Sequence, residues 1–181
     1  MHQKTYRIVY TGIFAVLLAI CSWISIPSFI PFTLQTFGVF LTLLLLGGKQ
    51  GLIVFIVYLL MGICGIPVFS NFGSGPGYLL GATGGYILGF LLMGLCFLGF
   101  EKLFGKRTIF QIIALLLGLF LCYVFGTFWA FKISLAAGGT MGFQTILTLY
   151  VLPFVLPDLG KLILAWAVCK KLRPFLKFSH F

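Results

Sequence analysis

Six apolar segments, at roughly 8–26, 34–47, 51–66, 84–100, 109–131 and 146–169, are set apart by short polar or glycine-rich punctuation. A helix needs about 17 to 25 apolar residues to cross a bilayer, and little else is left in the chain once such runs are removed. With 61% hydrophobic and 8% charged residues, a soluble globule of this composition could not cover its own surface. The sequence therefore predicts an all-α integral membrane protein with six transmembrane helices in a single membrane domain, residues 1–181.

If the segments alternate in direction, four polar tracts share one side. They carry Lys4 and Arg7; Lys49; Lys102, Lys106 and Arg107; and Lys170, Lys171, Arg173 and Lys177, which is ten of the twelve basic residues. Cytoplasmic loops collect lysine and arginine, so both termini are predicted to be cytoplasmic and the membrane to be the plasma membrane. A net charge of +10 would also suit a nucleic-acid binder, but such a binder gathers its basic residues on a soluble face. Here they lie between apolar runs, where an anionic leaflet explains them. Glu101, among these residues, is read as a solvated loop charge. The basic start followed by 8–26 resembles a signal peptide, but the run is too long and is not followed by an A-x-A site, so a retained first helix is expected.

Several chemistries lack material. There is no GxxxxGK[ST] loop, no HExxH and no serine with a histidine and acid to activate it. Cys21, Cys64, Cys96, Cys122 and Cys169 are scattered singly, and His2 and His180 lie at the chain ends. The predictions are no enzyme, no metal and no cofactor.

Within the last segment, "PFVLPDLGK" holds Asp158 and Lys161, one of the chain's two acids beside a lysine. At 100° per residue Asp158, Lys161, Leu162, Ala165 and Cys169 share one helical face. Pro157 suits a first helical turn, which would put Asp158 at the positive end of the helix dipole. An ionisable group in a membrane span costs roughly 2.5 to 3.5 kcal/mol on insertion scales, which marks it as a functional candidate. A structural ion pair pinning the last helix is the alternative.

The loops "SIPSFIPFTLQT" and "GIPVFSNFGSGPGYLLGATGG" are nearly uncharged yet rich in Gly, Pro, Phe and Thr. Irregular backbone enters membrane depth only where it is buried or lines a cavity, so these loops are predicted to roof an outward-opening cavity. Phe29, Phe32, Phe69, Phe72, Tyr78 and Phe154 could wall it or belong to an interfacial belt. In "GATGGY" the glycines allow close approach of either a ligand or another helix, and the Gly81, Gly85, Gly89 spacing suits both. Ala15 and Ala19 form a small-residue stripe whose partner could lie inside the fold or in another subunit.

Taken together, "PFTLQTFGV", "GIPVF" with its glycine-rich loop, "GATGGYILGF", and "PF" then D-x-x-K resemble BioY, the biotin-binding S component of energy-coupling-factor (ECF) transporters. The likeness runs in order from Ala15 to Lys161. It implies an ECF S-component-like bundle of six helices with both ends cytoplasmic, biotin as substrate, and two partners. These are a transmembrane coupling subunit (the T component) and a pair of ABC-type ATPases.

By the same resemblance, Asp158 and Lys161 would meet the ureido ring, joined by Gln35, Thr36, Asn71, Thr83, Gly84 and Tyr86, while Ala15 and Ala19 would dock the coupling subunit. Asn71, Tyr86, Lys132 or water would receive the biotin carboxylate. The chain has Ala82 and Pro157 where the family often shows GPTGGY and PGD, which leaves local loop geometry open. An S component for another vitamin, or a membrane scaffold, are the competing readings.

Overall fold

The computed structural model describes residues 2–26, 32–138 and 142–174. Phe29, Lys177 and His180 lie outside the described residues, as does the middle of the first outer loop. The elements run α1 (His2–Trp23), β1 (Ser25–Ile26), β2 (Phe32–Thr33), α2 (Gln35–Ile63), a 3-10 turn (Ser70–Phe72), α3 (Pro76–Leu79), α4 (Gly84–Phe104), α5 (Thr108–Ala136), α6 (Phe143–Tyr150) and α7 (Leu152–Leu172). Among the described residues, five stretches are long and apolar enough to cross a membrane. The short β1–β2 ribbon, pairing Ser25 with Thr33 and Ile26 with Phe32, is an addition to the all-helical reading.

One of the five stretches, α2, reverses direction. Gly47 sits at φ 77°, ψ 173°, outside helical geometry and in the left-handed region that favours glycine. The Gln35 side-chain amide donates to the Tyr58 hydroxyl at 2.8 Å. In an unbroken helix those residues would stand about 34 Å apart at 1.5 Å per residue. So α2 is a hairpin of two arms, 35–46 and 48–63, which gives six apolar helical segments among the described residues.

The break strands a donor and an acceptor that a continuous helix would have joined to each other. The Gly48 N–H, which would have donated to the Leu44 carbonyl, donates instead to Glu101 Oε2 at 2.6 Å. The Leu44 carbonyl accepts from Arg173 Nη2 at 3.1 Å. The carboxylate thus caps a helix start and the guanidinium a helix end, each matching the local dipole. This corrects the reading of Glu101 as a solvated loop charge: it belongs to α4 and reaches the hairpin turn. A Cβ on Gly48 would lie 2.5 Å from Leu98 Cα, so the bare backbone lets the turn sit against α4.

Helix α1 packs on the hairpin through its small residues. Ala15 and Ala19 are 0% and 3% exposed. The stripe therefore packs inside this chain. The same contact seals Thr11 and Gln50, which hydrogen-bond at 2.5 Å. The outward side of α1 is instead Ile8, Val9, Ile13, Val16 and Ile20.

The last apolar segment is divided at Val151 (φ −121°, ψ −57°) into α6 and α7. Helix α7 begins at Leu152 with Pro153 in its first turn, and Pro157 lies inside it. Asp158 therefore stands a turn further into the helix than expected, away from the dipole's positive end, and needs other compensation. The buried residues of α7 are Asp158, Lys161, Leu162, Ala165 and Cys169, the five that helical spacing places on one face.

Candidate functional site

The buried face of α7 meets the first arm of α2 and the middle of α5. Asp158 is 2% exposed and Lys161 8%, and Lys161 Nζ donates to Asp158 Oδ1 at 2.8 Å. Two further donors reach the carboxylate: the Thr36 hydroxyl to Oδ1 at 2.8 Å and the Tyr123 hydroxyl to Oδ2 at 2.6 Å. Lys161 also donates to the Thr33 carbonyl at 2.7 Å and to Thr36 Oγ1 at 3.1 Å. An ammonium has three N–H groups, and three acceptors surround this one. Its charge also lies 4.4 Å from the centroid of the Phe32 ring, which stacks on Phe154.

This arrangement replaces the helix dipole that was expected to favour the carboxylate. A buried ion pair recovers its desolvation cost only when the remaining donors and acceptors are satisfied, and here all but one are. One asymmetry remains. Oδ1 accepts twice and Oδ2 once, so Oδ2 keeps an acceptor site, and Asp158 lies on the wall of a cavity.

That cavity is narrow, about 100 Å³. Polar walls come from Thr33, Gln35, Thr36, Thr83 and Tyr123, and apolar ones from Ile87, Phe90, Leu119 and Phe154. Tyr86 and Tyr150 stack 6.3 Å apart on its wall, and the Tyr86 hydroxyl meets Thr127 at 3.1 Å. Asp158 is the only charged residue among those lining it. Lys161 stands behind the wall and acts on the cavity through Asp158 and Thr36.

Other predicted residues distribute unevenly. Gln35, Thr36, Thr83 and Tyr86 line the cavity with Asp158. Asn71 does not: it is exposed on the 3-10 turn, holding a left-handed backbone at φ 54°. Gly84 is also absent from the wall; a Cβ there would lie 1.7 Å from the Leu79 carbonyl oxygen, so the position serves chain packing. Gly85 and Gly89 approach Trp129 and Cys122 of α5, which decides the GxxxG pattern in favour of helix packing. Lys132 is exposed beside the Phe128 ring and lines no part of the cavity.

Tyr123 was missed from the sequence. It lies in an apolar run with no neighbouring signal, and only its position opposite Asp158 on a separate helix reveals it. Tyr58 was missed for the same reason. It links Gln35 to the Val68 carbonyl, donating at 2.8 Å, and Ser22 donates to that carbonyl at 2.5 Å. Ser70 and Tyr78 are also hydrogen-bonded, joining the outer loops into one layer beside the cavity.

Six apolar helical segments around a small, largely apolar cavity lined by the Asp158 carboxylate define a multi-pass membrane protein built to hold a small solute. The comparisons carry this further. The BioY family profile matches residues 1–178, and the chain belongs to the BioY family. It is similar to a probable biotin transporter BioY of Pyrococcus horikoshii, 32% identical over 94% of this chain and 98% of that one. The biotin transporter BioY of Thermotoga maritima is 47% identical over 48% of this chain and 52% of its own. Among solved structures, the S component for biotin from an ECF-type ABC transporter superposes with a TM-score of 0.82, at 26% identity, covering 96% of this chain and 93% of that one.

Proposed function

We propose that this chain is the biotin-binding S component of an ECF-type uptake transporter, a transport subunit and not an enzyme. The observation that carries the reading is buried Asp158, paired with Lys161, on the wall of a cavity with one acceptor site on Oδ2 unused. A ureido ring offers two N–H donors and a carbonyl acceptor. Asp158 Oδ2 accepts a ring N–H. Lys161 pairs with the carboxylate and turns one N–H from Thr33 or Thr36 toward the ring carbonyl. The apolar wall of Ile87, Phe90 and Leu119 takes the thiophane ring and the aliphatic tail.

Gln35, Thr83 and Tyr86 supply the remaining polar contacts, and Asn71 and Gly84 act on the surrounding loops. Small-molecule sites usually exceed about 300 Å³, so biotin entry opens the rim, where Tyr150 and Phe154 flank the α6–α7 break. The ten basic residues that share one side if the apolar segments alternate in direction support a cytoplasmic location for both termini in the plasma membrane, with the cavity facing out and residues 1–181 acting as one membrane domain. No nucleotide-binding loop is present in the sequence, so energy comes from partner ATPases through a transmembrane coupling subunit.

Calorimetric titration of the detergent-solubilised protein with biotin tests the reading. Saturable one-to-one binding that thiamine and riboflavin do not compete away is the expected result. Absence of saturable biotin binding would overturn it.

A further inference from the structure

A second and larger cavity, about 390 Å³, lies at the other end of α7, lined by Leu44, Thr108, Gln111, Trp166, Cys169, Lys170 and Arg173. Cys169 and Asp158 are 11 residues apart, about 16 Å along the helix, so the two cavities are separate. Neither of the chain's two acids lines this one, and two cations do. Arg173 is held in place by its bonds to the Leu44 carbonyl and to Gln111 Oε1, both at 3.1 Å. Arg173 is an exposed residue, but Gln111 is only 4% exposed, so the guanidinium rests on a buried support. Lys170 rests with its ammonium 5.6 Å from the Trp166 ring centroid. Thr108 adds a hydroxyl to the wall.

We propose that this cavity is an anion site that takes a phosphate group, supplied by an anionic lipid headgroup. Two cationic residues line a hollow with largely apolar walls at the end of an apolar helix, where headgroups and the tops of acyl chains lie. Basic pockets between membrane helices are suited to phosphate recognition, the fixed guanidinium as a planar fork and the lysine as a mobile charge. Trp166 carries a polar N–H on an apolar body, which suits the same depth. The shared chemistry is the phosphate, so free phosphate is the competing source.

The test follows the melting temperature of delipidated, detergent-solubilised full-length protein against added dioleoylphosphatidylglycerol, dioleoylphosphatidylcholine or inorganic phosphate at matched ionic strength. Arg173 also holds the hairpin, so the variant used is Lys170→Gln. The expected result is a saturable rise with phosphatidylglycerol, absent with phosphatidylcholine, whose midpoint moves about tenfold higher in Lys170→Gln through loss of one charge-assisted contact. An equal rise with inorganic phosphate supports the anion site and assigns it to the free ion. No rise with either anion, an equal rise with phosphatidylcholine, or a midpoint unmoved in Lys170→Gln overturns the proposal.

Discussion

Both ends of α7 carry charge into an otherwise apolar fold, and they handle it differently. Near the start, Asp158 and Lys161 pair with each other at 2.8 Å and then draw hydroxyl and carbonyl groups from α5, α2 and β2 around them. Near the other end, Arg173 and Glu101 each meet backbone groups left over where the hairpin breaks at Gly47. The first arrangement leaves an acceptor site on a cavity wall. The second uses charge to finish two helix termini. Asp158 presents its unused acceptor on a cavity wall, whereas Glu101 Oε1, also without a partner, is buried, and Arg173 both holds the hairpin and lines the second cavity.

Substitutions at the two ends should separate these roles. The largest effect is expected for Asp158→Ala, which leaves Lys161 buried without its counter-charge. A loss of about 3 to 5 kcal/mol in stability and abolition of biotin binding should appear in thermal melts and calorimetry. If Asp158→Ala melts early yet still binds biotin with unchanged Kd, the pair is structural and the comparison fails.

Next, Glu101→Ala leaves the Gly48 N–H unpaired beside α4. It is expected to cost about 1 to 3 kcal/mol of stability with biotin Kd changed less than about threefold. A large loss of affinity would show that the hairpin turn and the cavity are coupled. Ala15→Leu tests the packing role of the α1 stripe. Overpacking against the hairpin should lower stability by about 1 to 3 kcal/mol in the isolated chain, before any partner is added.

The smallest effect is expected for Tyr123→Phe, which removes one hydrogen bond to Asp158 and keeps the pair. A stability change of about 1 kcal/mol and biotin binding weakened by no more than about tenfold would place Tyr123 as a positioning residue. Abolished binding would make it a direct contact.

Much of this was legible in the residues. Periodicity placed Asp158, Lys161, Leu162, Ala165 and Cys169 on one face because the helix repeat is local, and burial of all five follows from that geometry. Motifs around Gln35, Thr36, Thr83 and Tyr86 pointed to residues that now line one cavity. Position within a helix was harder to read. Pro157 looked like a helix start, yet α7 begins at Leu152 because the break falls at Val151, where the chain turns out of α6. The stripe of Ala15 and Ala19 marked a close contact correctly, while the identity of its partner depended on where α2 folds back.

The sequence by itself determined the membrane class, the apolar segments, the clustering of basic residues between them and the shared face of Asp158 and Lys161. These depend on composition and on repeats of a few residues, which need no knowledge of distant chain. Tertiary structure alone decided that Tyr123, 35 positions from Asp158, donates to its carboxylate, and that Glu101 and Arg173 meet the two stranded groups of the hairpin. The physical reason is that apolar solvation places helices in a membrane without specifying neighbours, while each stranded polar group must find a partner across whichever interface packing creates.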